Sequence, residues 1–446
     1  VLRPTLFPYQ ITGQEWLAER KHALLADEMG LGKTAQAITA ADKIAAKNII
    51  VICPAVARIN WDREFRKFSA RFPSKQICVA CNTRTSLPAP STRGGGLILI
   101  LSYELAVYHH TNNAFDGQQW DLCIIDEAHF LKSIEAKRTK AILGSQGIIR
   151  QAQRTWALTG TPMPNHPGEL WTLLYVFGGT KLKYQDFIQR FCNFIPGSGF
   201  NSGNMRISGL KQSNALELKE ILKSVCLRRL KKDVLKELPP VSVHSVAVER
   251  NEVELTEEEI ARVKEELGFL AEVPSVTHLE MIAGSVSTLR RYLGLAKVKS
   301  CAEMIASELE SDAYPKIVIF AYHKEVIRQM FQALQKFGPV AITGDTSPTD
   351  RQANVDRFQT KSSCRVFLGN IRAAGTAITL TAADQVFFVE QDWTPSENAQ
   401  ALSRCHRIGQ QNPVTVRFAA VSDSIDERVA SVLARKARDF KTLFES

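Results

Sequence analysis

Ala23–Ala26, a short apolar run, passes directly into a glycine-containing turn, and the alanine-rich stretch Thr34–Ala46 then reads as a helix. An apolar run too brief for a helix, followed by a turn and a helix, is the unit from which parallel sheets are built. The unit recurs. Asn48–Cys53, Leu97–Leu101, Leu122–Ile125 and Trp156–Thr159 are further β-branched or leucine-rich runs, each followed by polar or turn residues. In the second half, strands are expected at Lys316–Phe320, Pro339–Thr343, Cys364–Gly369, Gln385–Glu390 and Pro413–Ala420. Helices are expected there at Lys324–Phe337, Ser347–Phe358 and Ser396–His406. Strands apolar on both faces need helical cover on both sides, so the pattern predicts an α/β chain with two parallel sheets.

Between the two series the character changes. Thr256-Glu257-Glu258-Glu259 is a capping box opening a charged helix that runs to about Glu272, and a second helix is expected over Leu279–Leu293. The Gly/Ser/Asn-rich segment Pro196–Ser213 reads as a loop or hairpin, within an insertion near 178–230. Lobe one is therefore placed at 1–240, a helical bridge at 241–296 and lobe two at 297–446.

With 45% hydrophobic and 23% charged residues in 446, each lobe can bury an ordinary core. The net charge of +10 suits a polyanionic partner without naming one. No apolar run reaches the ~18 residues needed to cross a bilayer, and Val1–Gln10 carry no signal-peptide pattern. Nine scattered cysteines, an odd number, argue for a reducing intracellular compartment (nucleus, or bacterial cytoplasm and nucleoid) rather than a disulfide framework. The one close pair, Cys78-Val-Ala-Cys81, lacks a second pair or a nearby His and reads as structural rather than as a zinc site.

Asp27-Glu28-Met29-Gly30-Leu31-Gly32-Lys33-Thr34 lies between a buried strand and a helix, the setting a P-loop requires. Gly30 and Gly32 let backbone amides approach phosphate oxygens, and the helix start adds its positive dipole end. Lys33 would reach the β- and γ-phosphates of ATP, and the Thr34 hydroxyl would ligate Mg²⁺. Asp27 stands where the generic GxxxxGKT pattern has its first glycine. Asp126-Glu127-Ala128-His129 emerges at the carboxyl end of another buried run. There Asp126 can hold Mg²⁺ while Glu127 positions water for attack on the γ-phosphate. The two segments together specify NTP hydrolysis.

With these in place the chain resembles a superfamily-two helicase-like motor, and within it the Swi/Snf family of double-stranded DNA translocases. Leu6-Phe7-Pro8-Tyr9-Gln10 resembles the Q motif, which implies that Gln10 reads the adenine edge. Cys53-Pro54 with Asn60-Trp61, Ser102-Tyr103-Glu104, and Leu158-Thr159-Gly160-Thr161-Pro162 are similar to motifs Ia, Ib and III. Leu227-Arg228-Arg229-Leu230-Lys231-Lys232-Asp233-Val234 is a family hallmark. Ala373-Ala374-Gly375 through Leu380-Thr381 resembles motif V, and Gln400 through Gln410, with its His406-Arg407-Ile408-Gly409-Gln410, resembles motif VI. Ile319–Lys324 and Leu293–Lys297 are similar to the annealing-helicase (HepA-related-protein) branch.

The resemblance implies two RecA-like lobes with the ATP site in the interlobe cleft. It places Asp27, Gly30, Leu31, Gly32 and Gly375 at the nucleotide, with Arg404 and Arg407 as arginine fingers spaced i and i+3 on one helix face. Three positions depart from the pattern: Ala377 for a second glycine of motif V, Ser133 for the usual Asn after the DEAH string, and Thr343-Gly344-Asp345 in motif IVa.

A motor tracking along DNA should hold phosphates rather than read bases. Lys132 and Thr379 are the expected phosphate contacts, with Arg63, Arg66 and Lys67 suiting either DNA or a solvated helix face. The cluster Arg228, Arg229, Lys231 and Lys232 fits DNA, or equally the holding of Asp233 or other acids. Trp393 reads as a packing or coupling residue. The expected partner is double-stranded or branched DNA, the expected protein a monomer working with ATP and Mg²⁺ to remodel or reanneal DNA, as in DNA repair, or to displace bound protein. An RNA or single-strand helicase and an ATP-switched DNA clamp are the rival readings.

Overall fold

Five consecutive apolar residues, Ile49–Cys53, form a strand buried along its whole length and flanked on both sides by other strands. The computed structural model describes residues 4–71, 77–90, 96–196, 205–254, 256–272, 287–374 and 378–421. The chain divides into two units, the first built mainly on 4–194 and 207–236, the second on 237–421.

In the first unit, β1 (His22–Leu25), β2 (Ile49–Cys53), β3 (Ile77–Val79), β4 (Ile98–Ser102), β5 (Trp120–Asp126) and β6 (Ala152–Leu158) follow in chain order. Two later strands, β7 (Cys192–Pro196) and β8 (Met205–Leu210), pair as a separate two-stranded sheet, and β9 (Cys226–Leu227) returns to β1. The main sheet has the order β3-β4-β2-β5-β6-β1-β9, and its pairings are parallel.

Period-two alternation sends neighbouring residues of one strand to opposite faces. Ile50, Ile52, Leu99, Leu101, Cys123 and Ile125 join one core, with Phe187 and Phe191. Their neighbours Ile49, Val51, Ile98, Ile100, Leu122 and Ile124 join the other, with Trp61 and Phe65. The helix Lys33–Lys43 packs on that second face through Ala37, Ile38, Ala40 and Ala41, whose small side chains permit close approach to the strands.

The second unit repeats the plan with β10 (Val241–Ala247), β11 (Ile317–Ala321), β12 (Val340–Ile342), β13 (Val366–Asn370), β14 (Gln385–Phe388) and β15 (Val414–Ala420). Their order is β10-β15-β14-β11-β13-β12, again parallel throughout. Ile317, Ile319, Leu368 and Phe387 face one core, while Val318, Phe320, Phe367 and Phe388 face the other. The two-sheet α/β class expected from the apolar runs is what the chain forms.

Differences lie at the margins. Residues 241–247, assigned by sequence to a helical bridge, are the edge strand β10, whose Val243 is 60% exposed. Only Val241 and Val246 along it are part-buried, and polar residues interrupt its valines, so a search for continuous apolar runs passes over it. The charged helix follows expectation over Glu257–Glu272, with the Thr256 amide donating to Glu259 Oε2 at 3.0 Å and the Glu259 amide to Thr256 Oγ1 at 3.2 Å. Of the expected helix 279–293, the described part begins the helix Ser287–Ala296; 279–286 lie outside the described residues. All nine cysteines are free thiols. Among the described residues no three His, Cys, Asp or Glu side chains gather as a metal site, and no helix is long and apolar enough to cross a membrane.

Candidate nucleotide-binding site

The site begins where β1 ends. Residues 26–32 form the loop between β1 and the helix Lys33–Lys43, with Gly30 at φ 86° and Gly32 at φ 73°. Both values lie in the left-handed region that glycine alone adopts without cost. A Cβ at Gly32 would in addition lie 2.4 Å from Gln10 Nε2, so that amide would have to give up its place. Gln10 itself is buried: its Oε1 accepts from the Phe7 amide at 3.0 Å, and its Nε2 donates to the Leu31 carbonyl at 3.2 Å. Tyr9 Oη donates to the same carbonyl at 3.2 Å.

The Lys33 ammonium turns back into the loop, donating to the Asp27 carbonyl at 2.8 Å and the Glu28 carbonyl at 3.4 Å. Burial lowers its pKa, against the opposing pull of the Glu127, Asp27 and Asp126 carboxylates. Thr34 occupies the first turn of the following helix.

The two acids stand at the carboxyl end of β5. Asp126 Oδ2 accepts from the Trp61 indole N–H at 2.8 Å, and its Oδ1 accepts from the Glu127 amide at 3.0 Å. Tyr103 Oη donates to the Asp126 carbonyl at 2.7 Å. Desolvation and then the Glu127 charge push the Asp126 pKa up to about 6, with Trp61 and Lys33 pulling the other way. Glu127 has φ 51°, a conformation that a non-glycine residue holds only when its surroundings impose it, and such residues gather at functional sites. Its Oε2 lies 3.3 Å from His129 Nδ1, and that nitrogen is 3.1 Å from Thr159 Oγ1, so the strings at 126–129 and 158–162 are joined.

Lys33, Asp126 and Glu127 are thus brought together electrostatically, as the spacing of the two strings led us to expect. Two carboxylates beside a hydroxyl-bearing helix start offer only hard oxygen donors, and too few to encage a metal alone. That donor set fits Mg²⁺, which keeps waters and shares substrate phosphates, better than zinc or calcium.

Other expected contacts are spoken for. Lys132 Nζ lies 2.8 Å from Glu169 Oε1, a buried carboxylate. Arg228 and Arg229, candidates for DNA phosphate, point into the first unit instead. Arg228 Nη1 donates to the Ala26 carbonyl at 2.6 Å and the Gly160 carbonyl at 3.2 Å. Arg229 pairs with Asp27, so the acid that this basic cluster holds is in the phosphate loop rather than the neighbouring Asp233.

In the second unit the helix Pro395–Leu402 stops before Arg404 and Arg407, so the expectation that both sit on one helix face does not hold. Arg404 and Cys405 donate their amides three residues back, to Ala401 and Leu402, and the Arg404 carbonyl accepts from the Leu380 amide, which turns the chain out of the helix. Arg407 Nη1 then donates to the Ile378 carbonyl at 3.1 Å and Thr379 Oγ1 at 3.0 Å, so Arg407 and Thr379 form one group. Gly375 and Ala377 lie outside the described residues. Sequence reasoning placed Trp61 and Tyr103 in strings similar to motifs Ia and Ib without assigning them a contact, and no local signal tells that they reach Asp126 across the sheet end.

A model of the SNF2-related domain matches residues 9–259, more than half of the chain. The chain belongs to the SNF2-related family. A model of the helicase conserved C-terminal domain matches residues 296–409, so family patterns account for both halves. The human "DNA annealing helicase and endonuclease ZRANB3" is 29% identical over 98% of this chain and 40% of its own length. The Drosophila melanogaster "SWI/SNF-related matrix-associated actin-dependent regulator of chromatin subfamily A-like protein 1" is 31% identical over 98% of this chain and 55% of its own. The chain therefore spans less than two thirds of these relatives. A solved "Sulfolobus solfataricus SWI2/SNF2 ATPase core in complex with dsDNA" aligns with the whole chain and 93% of its own at 25% identity and a TM-score of 0.45. The family resemblance carried by the hallmark strings is borne out.

Proposed function

We propose that this SNF2-related chain is an ATP-dependent double-stranded DNA translocase that remodels or reanneals DNA structures or displaces DNA-bound protein. The observation that carries the reading is the gathering of Lys33, Asp126 and Glu127 at the ends of β1 and β5, in a chain whose two halves match SNF2-related and helicase C-terminal patterns. ATP is the substrate. The amides of Gly30 and Gly32 face its phosphates, with Leu31, whose amide donates to the Glu28 carbonyl, between them; Lys33 neutralises the β- and γ-oxygens, and Gln10 takes the adenine edge. Thr34 and Asp126 would hold Mg²⁺, which when bound offsets charge on the phosphoryl group. Glu127 orients the attacking water, its carboxylate held in place by the strained backbone beneath it and by His129. Arg404 and Arg407 supply positive charge to the transferring group. Lys132 and Thr379 take DNA phosphate by exchanging their present partners, Glu169 and Arg407, for it. We assign the nucleotide-binding lobe to the first unit, up to 236, and the helicase-like second lobe to the unit that begins at 237 and includes β10.

Steady-state hydrolysis measured alone and with duplex DNA, forked DNA, single-stranded DNA and RNA at one low salt concentration tests the reading. Duplex or forked DNA is expected to stimulate, and stimulation by RNA or single strands alone would overturn the choice of substrate. Arg407→Ala is expected to lose at least about tenfold in kcat while retaining duplex binding in a filter or anisotropy assay. A clamp that grips DNA only with ATP bound would instead lose its ATP-dependent grip.

A further inference from the structure

The arginine most deeply committed to the phosphate loop is one the expected chemistry does not use. Asp27 is fully buried at the position where a generic P-loop has glycine. Its carboxylate is met by Arg229 Nε at 3.0 Å, by Arg229 Nη2 and by Gln36 Nε2 at 3.1 Å. The same guanidinium donates to the Tyr9 carbonyl and, at 2.8 Å, to Gln36 Oε1. One cation thus ties together the helix that carries Gln10, the phosphate loop and the helix that follows it. Gly13 makes room for this: a Cβ there would stand 1.8 Å from Gln36 Oε1 and 2.6 Å from Arg229 Nη2.

The main chain is tied at the same place. β9 pairs with β1 at Leu24↔Cys226 and Leu25↔Leu227, and the pairing continues past both strands. The Ala26 amide donates to the Leu227 carbonyl at 2.7 Å, the Glu28 amide to the Arg229 carbonyl at 2.9 Å, and the Lys231 amide to Glu28 Oε2 at 2.7 Å. Asp27 is also the residue whose carbonyl receives the Lys33 ammonium. A buried ion pair is weak evidence for stability, since apolar packing of the same volume often serves as well. What this pair fixes is the position of the carbonyl that aims Lys33.

We propose that Arg229 is a positioning residue for nucleotide binding, holding Asp27 so that the loop around Lys33 is set before ATP arrives. The inference rests on the nucleotide-site reading given above. A loop already in its bound form is not ordered at the ligand's expense, so the effect falls on affinity.

The test uses the full 446-residue chain. Arg229→Ala, Arg229→Lys and the double variant Asp27→Asn/Arg229→Ala are assayed for KM and kcat with ATP and Mg²⁺, for duplex DNA affinity without nucleotide, and for folding by circular dichroism. Arg229→Ala is expected to raise KM about tenfold or more while kcat at saturating ATP changes less than about threefold. Duplex affinity should be unchanged, and Arg229→Lys, which keeps one contact to Asp27 but not the fork, should restore KM in part. If Arg229→Ala fails to fold around its unpaired carboxylate, the double variant, which buries no lone charge, carries the same expected rise in KM. An unchanged KM in a folded variant overturns the proposal, and an unchanged KM with weakened duplex binding makes Arg229 a DNA contact instead. Lys33→Ala is the control: if it leaves ATP affinity intact, the site reading falls and the proposal with it. If Lys33→Ala abolishes binding while the Arg229 variants bind as the parent does, only the positioning role falls.

Discussion

Asp126→Asn should remove most ATP hydrolysis, by roughly 10²–10³-fold, and yet make the protein harder to unfold at pH 7.5 without nucleotide or divalent cation. The reason is the raised pKa of about 6, above the ordinary 3.8 of an exposed aspartate. As pH rises, the unfolded chain releases this proton first, so between pH ~4 and ~6 the native state binds more protons. Stability from this group is full below the unfolded pKa and is lost as pH climbs through the folded one. The loss is on the order of a few kcal/mol. An asparagine is neutral throughout and escapes it. The Trp61 indole can still donate to the amide oxygen, but the Glu127 amide loses its acceptor at a cost of about 1 kcal/mol. The net gain, on the order of 1 kcal/mol or more, should raise the melting temperature of the first unit by a few degrees above pH 6 and by less at pH 4.5. Melting curves across that range decide the matter, and an asparagine variant that melts at or below the parent above pH 6 would refute the account. The acid therefore looks costly to the empty protein, as expected of a group kept for its chemistry.

Lys33→Ala should be the more damaging change. Hydrolysis should fall on the order of 10³-fold or more, because the ammonium that interacts with the Asp27, Asp126 and Glu127 charges is gone. Without the ammonium the Asp126 pKa climbs further, so neutralising Asp126 becomes worth more in the Lys33→Ala background than in the parent. A double-mutant cycle on the two positions should show this as a coupling of about 1 kcal/mol, read from denaturant midpoints. Additivity within about 0.5 kcal/mol would mean that the two groups do not interact.

How far the sequence reaches depends on whether the signal is local. Central strands such as Ile49–Cys53 and Ile317–Ala321 announce themselves because burial on both faces leaves no polar residue in the run. Gly30, Gly32 and the lysine after them are legible for a similar reason, since the turn, the left-handed backbone and the helix start lie within a few residues. Edge elements are not. β9 is two residues long and β10 is exposed over most of its length, so neither produces an apolar run. The helix expected to present Arg404 and Arg407 together ends at Leu402, because the Arg404 carbonyl is claimed by Leu380 from elsewhere in the fold. Trp61, Tyr103 and Arg229 reach the site from segments far away in sequence, and no window of residues contains both partners. Composition offered a basic excess but not its use: Arg228 and Arg229 spend their charge on the first unit's own backbone and Asp27.

The distance between Asp27 and Arg229 also sets a clock. They are 202 positions apart, and a ribosome adding about 5–20 residues per second takes on the order of ten to forty seconds to cover that interval. Throughout it the nascent chain already holds Lys33, then Asp126 and Glu127, and can pair β1 with β6, but the far side of β1 has no neighbour and the Asp27 carboxylate no counter-ion. A newborn chain of this protein passes a long interval with an open strand edge, the kind of surface on which chaperones act, and its cradle for phosphate is completed only when the arginine emerges.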